Sequence, residues 1–145
     1  MKLYHYGFKK EILTEGLNSF CKHPDTSEIN NLIHESFGEC FGRDVCVFLN
    51  LDRRDNGYLT VSVDLEKLDP GLLNVADQDI ADKIYSQWYR GNDCSELINK
   101  YVSSIMKLEE YEGQYENPEV FYSDDIPAEI LTIEYLDKES VNQNN

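Results

Sequence analysis

The chain has 145 residues and a formal net charge of −15, and 41% of its residues are hydrophobic. This length suits one domain with its own core and is too short for two domains of ordinary size. Residues 1–54 hold seven basic and eight acidic residues, whereas residues 55–145 hold six and twenty. So acidic a surface disfavours direct binding of DNA or RNA, and a basic partner is easier to accommodate. The charge also keeps a small protein in solution, which is its simplest use.

The sequence lacks the features that direct a protein to or across a membrane. It has no run of about 18 apolar residues, and its start has neither a basic segment nor a long apolar stretch. These features predict a cytoplasmic protein. The cysteines are irregularly spaced and form no CxxC pair, which favours reduced core thiols and predicts no metal site: Cys21, Cys40, Cys46 and Cys94. A zinc site built from Cys21, His23, His34 and Cys40 is the alternative that the pattern leaves open.

Three strands and two short helices are predicted in the first half of the chain. Residues 2–6 form a strand, and Phe8, Ile12 and Leu13 then fall on one helical face that ends at Gly16. A capping box begins a second helix over residues 25–37. Residues 45–51 form a dense apolar strand. The turn signal at residues 55–57 leads into another strand, in which apolar and polar residues alternate over residues 59–65.

The second half begins with a break at Asp69-Pro70-Gly71, after which two helices are predicted. Apolar residues recur at helical spacing over residues 80–88 and again over residues 97–108. A polar loop over residues 113–118 separates them from strands at 119–122 and 131–135. Residues 137–145 read as a polar, disordered tail. The prediction is one mixed α+β domain over residues 1–136.

Several short motifs recur in an order and spacing typical of one family. They are His5-Tyr6-Gly7, the strand over residues 45–50, residues 58–65 leading to Asp69-Pro70, and Glu119-Val120-Phe121-Tyr122 followed by residues 126–130. Together they resemble the ADP-ribosyltransferase superfamily, in the branch of diphtheria toxin, the poly-ADP-ribose polymerases and small phage or bacterial relatives. The resemblance covers roughly residues 3–135. It implies a split β-sandwich with flanking helices.

The resemblance also implies a role for each end of the chain. His5 would hydrogen-bond the ribose of NAD, and Tyr6 and Gly7 would bring backbone close to the nicotinamide amide. Glu119 would be the catalytic glutamate, because a fixed carboxylate stabilises the positive charge that develops on the ribose as nicotinamide leaves. NAD would be consumed as a substrate. The residue two places before Glu119 is Asn117, so the Glu-x-Glu pattern of arginine-specific relatives is absent.

Three residues in the middle of the chain are further candidates for binding NAD. Phe48 and Asn50 stand where many relatives have a tyrosine and a serine or threonine. Phe48 would stack on the nicotinamide ring, or it is simply a core residue. Arg53, with Arg54 beside it, would meet the pyrophosphate, since guanidinium groups match phosphate oxygens, or both are solvated turn residues.

Two functions follow from these features. The first is a mono-ADP-ribosyltransferase that binds NAD in a cleft between two packed sheets and transfers ADP-ribose to a macromolecular acceptor, with a basic protein favoured. A tRNA 2′-phosphotransferase has a related fold, but it needs basic residues for its RNA, and the charge argues against it. The second is a non-catalytic acidic protein that inhibits a basic partner or mimics nucleic acid.

Overall fold

The computed structural model describes residues 1–19, 46–54 and 57–137. Three predictions lie wholly outside these residues: the helix over residues 25–37, the zinc alternative at Cys21, His23, His34 and Cys40, and the tail beyond Asp137. Asp55 and Asn56 of the predicted turn lie outside them as well. Asp137 itself donates its backbone N–H to the carbonyl of Tyr58 at 2.8 Å, so order extends one residue past the predicted end of the domain.

The described residues form seven strands, three α-helices and short 3₁₀ turns. The strands are β1 (Lys2–Gly7), β2 (Val47–Leu49), β3 (Leu59–Asp64), β4 (Leu73–Asp77), β5 (Met106–Lys107), β6 (Pro118–Tyr122) and β7 (Leu131–Leu136). The helices are α1 (Ile12–Glu15), α2 (Gln78–Tyr89) and α3 (Ser95–Ser104). This composition confirms the mixed α+β class.

The strands pair into two antiparallel sheets. One has the order β1-β3-β7, and the other has the order β2-β6-β4-β5. Leu3, Val61 and Val63 of the first sheet share a core cluster with Val75 and Val120 of the second, so the two sheets pack face to face. The space between the sheets is therefore filled with apolar side chains.

Helices α2 and α3 cover the other face of the four-stranded sheet. Phe121 on β6 and Ala76 on β4 point to this face, where they pack against Ile84, Ile98 and Tyr101. The side chains of a strand alternate between the two faces, so Val120 lies in the first core while its neighbours Glu119 and Phe121 face the helices. The domain thus has three layers, with two sheets and one layer of helices.

The two sheets also meet along one edge. Tyr4 on β1 and Asn50, just after β2, exchange backbone hydrogen bonds of 2.9 and 2.7 Å. Strand β2 is the edge strand of the four-stranded sheet, so this bridge places β1 beside it. The strands β3, β1, β2 and β6 consequently follow one another in space.

Some predicted elements differ from the observed ones. Strand β4 was not predicted, and the predicted helix over residues 97–108 ends at Ser104 because Met106 and Lys107 pair with Val75 and Asn74. At residues 106–107, pairing with a distant strand outweighs the local helical pattern, whereas β4 carried no predicted element and forms by pairing with β5 and β6. Helix α1 is only one turn long, and Phe8 is exposed rather than packed on its face. Within the described ranges, no helix has the length and apolar character needed to cross a membrane.

Candidate functional site

Glu119 lies near the start of β6, beside the end of β2. The register between these strands pairs Leu49 with Val120, so the next position places Asn50 alongside Glu119. On its other side Glu119 pairs with Ala76 of β4. The backbone of Glu119 is therefore held by a central strand, which gives its side chain a fixed origin.

The side chain of Glu119 points to the helix face of the sheet. There the buried hydroxyl of Tyr101 on α3 donates to Glu119 Oε1 at 2.5 Å. Asp82 on α2 is close enough to interact with it electrostatically: burial, the charge of Glu119 and the charge of Asp79 all raise the pKa of Asp82. The site thus concentrates negative charge around one oriented carboxylate.

A cleft of about 280 Å³ lies beside Asp82 and Pro118, the residue before Glu119, while Glu119 itself is not one of its lining residues. Its walls come from the loop after β2, the start of α2 and the segment entering β6: Asn50, Leu51, Asp52, Arg54, Gln78, Asp82, Glu116, Asn117 and Pro118. These lining residues contribute three carboxylates and a single guanidinium, that of Arg54. The predicted cleft between the two sheets is absent from the described residues, because core side chains fill that space. The observed cleft lies at the edge of the sandwich, beside α2.

His5 lies on β1 and contacts β2. Its Nδ1 is 2.9 Å from the carbonyl oxygen of Phe48. A carbonyl can only accept, so Nδ1 carries the proton and donates it. Burial lowers the pKa of His5, opposed by this hydrogen bond, and a neutral ring at pH 7 is the consequence. The neutral ring leaves Nε2 as a hydrogen-bond acceptor.

Contacts within the protein give Tyr6 and Gly7 structural roles. The Tyr6 hydroxyl donates to the carbonyl of Asp52 in the loop that walls the cleft. A Cβ at Gly7 would lie 2.5 Å from Cδ1 of Ile12, so glycine allows α1 to pack close to β1. Their proposed contacts with nicotinamide stay predictions.

Phe48 and Asn50 differ in their surroundings. Phe48 is half-buried and packs against the cluster beneath α2 and α3, in keeping with the core alternative, while its carbonyl accepts a hydrogen bond from Nδ1 of His5. Asn50 is exposed, lines the cleft and holds β1 through its backbone. Of the two, Asn50 is the residue whose side chain can reach a molecule in the cleft.

Arg53 points away from the cleft and Arg54 lines it. The guanidinium of Arg53 donates to Glu134 on β7, with distances of 3.1 Å to both Oε2 and the carbonyl oxygen. This pair ties the loop after β2 to the three-stranded sheet. A pyrophosphate in the cleft would therefore meet Arg54. The prediction from sequence named Arg53.

The structure adds Tyr101 and Asp82 to the residues named from sequence. Tyr101 belongs to the buried face of α3, where any apolar residue would fit the helical pattern. The sequence signal that marks it is its hydroxyl, because a buried tyrosine hydroxyl needs a hydrogen-bond partner. Asp82 reads as an ordinary solvated acid on α2. Its proximity to Glu119 depends on how α2 packs against the sheet, which no local pattern reveals.

The clustering of acids around Asp82 predicts a stabilising substitution. The raised pKa means that the folded state binds the proton of Asp82 more tightly than the unfolded state, so this carboxylate destabilises the fold at neutral pH, and the effect disappears as the pH falls and the group is protonated. Asp82→Asn should raise the free energy of unfolding at pH 7 by up to about 1 kcal/mol. Urea titrations at pH 7 and pH 4 measure this difference, with Glu110→Gln, an exposed acid elsewhere, as the control. A loss of stability at pH 7 would contradict the prediction.

Within the described part of the chain, no group of three or more His, Cys, Asp or Glu side chains is arranged to hold a metal ion. Cys46 and Cys94 are both buried, and burial raises the pKa of the Cys94 thiol. Cys94 therefore lacks the environment of a reactive thiolate.

No protein family, curated protein or solved structure gives a significant match to this chain. The site must therefore be interpreted from its own geometry.

Proposed function

We propose that the protein is an NAD-dependent mono-ADP-ribosyltransferase with the split β-sandwich of that superfamily. The observation that carries the proposal is the succession of β1, β2 and β6 in space, which gathers His5, Asn50 and Glu119 onto neighbouring strands. His5 and Glu119 are 114 positions apart in the chain, and the family motifs require their segments to lie together. The strands do so, while the His5 side chain shares the face of Leu3 and Val61 and the Glu119 side chain faces Tyr101. The two face-to-face antiparallel sheets support the same interpretation.

The arrangement around Glu119 suits the cleavage of NAD. As the bond between the ribose and nicotinamide breaks, the electron pair leaves with nicotinamide and positive charge builds on the ribose. A carboxylate held by a buried tyrosine hydroxyl needs no reorganisation to stabilise that charge. The acceptor then donates an electron pair to the ribose carbon and loses a proton to solvent or to a nearby carboxylate such as Asp82.

The neutral state of His5 fits a contact with a hydroxyl group. Its Nδ1 is committed to the Phe48 carbonyl, so Nε2 accepts a hydrogen bond from a ribose hydroxyl. Protonation would convert Nε2 into a donor and break that contact. The position of His5 on β1, fixed by strands on both sides, orients the ring.

The acidic and basic residues that line the cleft suit different parts of the NAD molecule. The nicotinamide ring of NAD is cationic, and the side of the cleft near Asp82 and Glu116 is acidic. Arg54, on the loop after β2, offers a guanidinium for the pyrophosphate. The remaining carboxylates weaken pyrophosphate binding, so we expect modest affinity and a strong dependence on Arg54.

Purified protein incubated with NAD provides the direct test. Calorimetry measures binding, and chromatography measures the release of free nicotinamide in the absence of any acceptor. Binding together with slow release supports the proposal. Failure to bind NAD at millimolar concentration overturns it and favours the acidic inhibitor, whose supporting observation is the excess of carboxylates around the cleft.

His5 provides a second test that separates binding from folding. His5→Ala should weaken NAD binding about tenfold, because it removes the proposed hydrogen bond from Nε2 to the ribose. His5→Asn is the informative partner, since its amide N–H can replace Nδ1 as donor to Phe48 while nothing replaces Nε2. Both variants should lose NAD affinity by calorimetry, and His5→Asn should unfold at a temperature closer to wild type. Equal NAD affinity in a folded His5→Asn protein would remove His5 from the site.

A further inference from the structure

An exposed aromatic patch lies at the C-terminal end of α2. The rings of Tyr85 and Tyr89 pack edge to face with centroids 4.7 Å apart, and their hydroxyls are 2.8 Å apart. Trp88 packs against Tyr89 at 5.4 Å. Tyr89 nevertheless remains 63% exposed. Tyrosine and tryptophan rings held in place at a surface are common anchors for a binding partner, because they lose little freedom when the partner binds.

The patch continues directly into the candidate site. Gln78 and Asp82 line the cleft, and Tyr85 and Tyr89 follow Asp82 by three and seven positions on the same helix. Residues at this spacing share one face of a helix. These four residues, which we call the α2 stripe, extend roughly 10 Å beyond Asp82 at the rise of an α-helix. A molecule bound to Tyr89 can therefore reach the cleft.

At the cleft end of the α2 stripe, carboxylates outnumber cations, since Arg54 is the single guanidinium among the residues that line the cleft. Asp82 and Asp79 lie at its cleft end, and Glu116 also lines the cleft. Lys83 follows Asp82 in sequence, so it lies about 100° around the helix and away from the stripe. An arginine side chain suits this combination, because its planar guanidinium stacks on tyrosine rings and pairs with carboxylates. Single-stranded nucleic acid also stacks on aromatic rings, but its phosphates would be repelled here.

We propose that the α2 stripe binds an arginine-containing segment of a basic protein, and that this segment carries the acceptor of ADP-ribose. The second part rests on the proposed transferase function. An extended segment advances about 3.3 Å per residue. An arginine stacked on Tyr89 therefore places a residue about three positions away beside Asp82, at the mouth of the cleft.

The test uses a fluorescently labelled synthetic peptide with arginines spaced through a glycine and serine background. Fluorescence anisotropy should detect binding to the wild-type protein that weakens as salt rises from roughly 0.05 to 0.3 M. Tyr89→Ala should weaken binding about fivefold to tenfold. Tyr89→Phe keeps the ring and should retain most of the affinity. Tyr135→Ala removes an exposed tyrosine from β7, far along the chain from α2, and should leave affinity unchanged.

Two outcomes would overturn the inference. One is equal binding of the peptide by wild type and folded Tyr89→Ala protein. The other is tighter binding of an oligothymidylate than of the arginine peptide. Release of nicotinamide without an acceptor is measured in parallel, because it tests the transferase function alone. Peptide binding that depends on Tyr89 in a protein that never cleaves NAD would keep the docking surface and reject its link to transfer.

Discussion

Glu119→Gln is expected to reduce the release of nicotinamide from NAD by about a hundredfold or more while leaving NAD affinity nearly unchanged. The amide keeps the shape of the side chain and can still accept from the Tyr101 hydroxyl, but it carries no negative charge. The lost interaction is stronger in the transition state than in the ground state, so the defect should appear in turnover. Single-turnover kinetics and calorimetry on the same preparation separate the two quantities.

Glu129→Gln is the matched control for this experiment. Glu129 is an exposed glutamate ten positions further along the chain, in the 3₁₀ turn Ala128–Ile130 before β7, whereas Glu119 lies on β6 against Tyr101. It should retain wild-type turnover. Unchanged turnover in the Glu119→Gln protein would exclude Glu119 as the catalytic carboxylate, and an equal loss in both variants would point to a general effect of charge.

Gly16→Ala is expected to cause the largest loss of stability. Gly16 ends α1 with a φ of 77°, and a Cβ there would lie 2.3 Å from the carbonyl oxygen of Ile126 and 2.7 Å from the backbone nitrogen of Ala128. These are backbone atoms, and Ile126 is held by two hydrogen bonds of 2.8 Å with Leu17. The substitution should lower the free energy of unfolding by about 3 kcal/mol.

Gly91→Ala isolates the contribution of the clash. Gly91 has a similar φ of 74°, but no atom lies within 4 Å of the position of its Cβ. Its substitution should cost only the backbone strain, about 1 kcal/mol. Denaturant titrations of both variants give the comparison. Equal losses would mean that the segment carrying Ile126 moves aside without cost.

The residues named from sequence lie in short motifs with local signals, and among them Asn50 lines the cleft while Glu119 follows Pro118, which also lines it. His5 sits in an apolar strand that ends at a glycine, and Glu119 begins a β-prone segment before an Ile-Pro turn. The choice between Arg53 and Arg54 could not be made in this way. The two residues are adjacent, and only the position of Glu134 on β7 decides which one turns away from the cleft.

The amino-acid sequence by itself determined the mixed α+β class and the positions of β1, β3, β6 and α2, because alternating or helical apolar patterns need only local information. Tertiary structure alone decided that β4 is a strand and that α3 stops at Ser104, since both depend on pairing between segments that are distant in the chain. It also decided that Glu119 faces the helices beside Tyr101 and Asp82. The physical reason is that a strand fixes which residues share a face, whereas the packing of the other layers determines what each face meets.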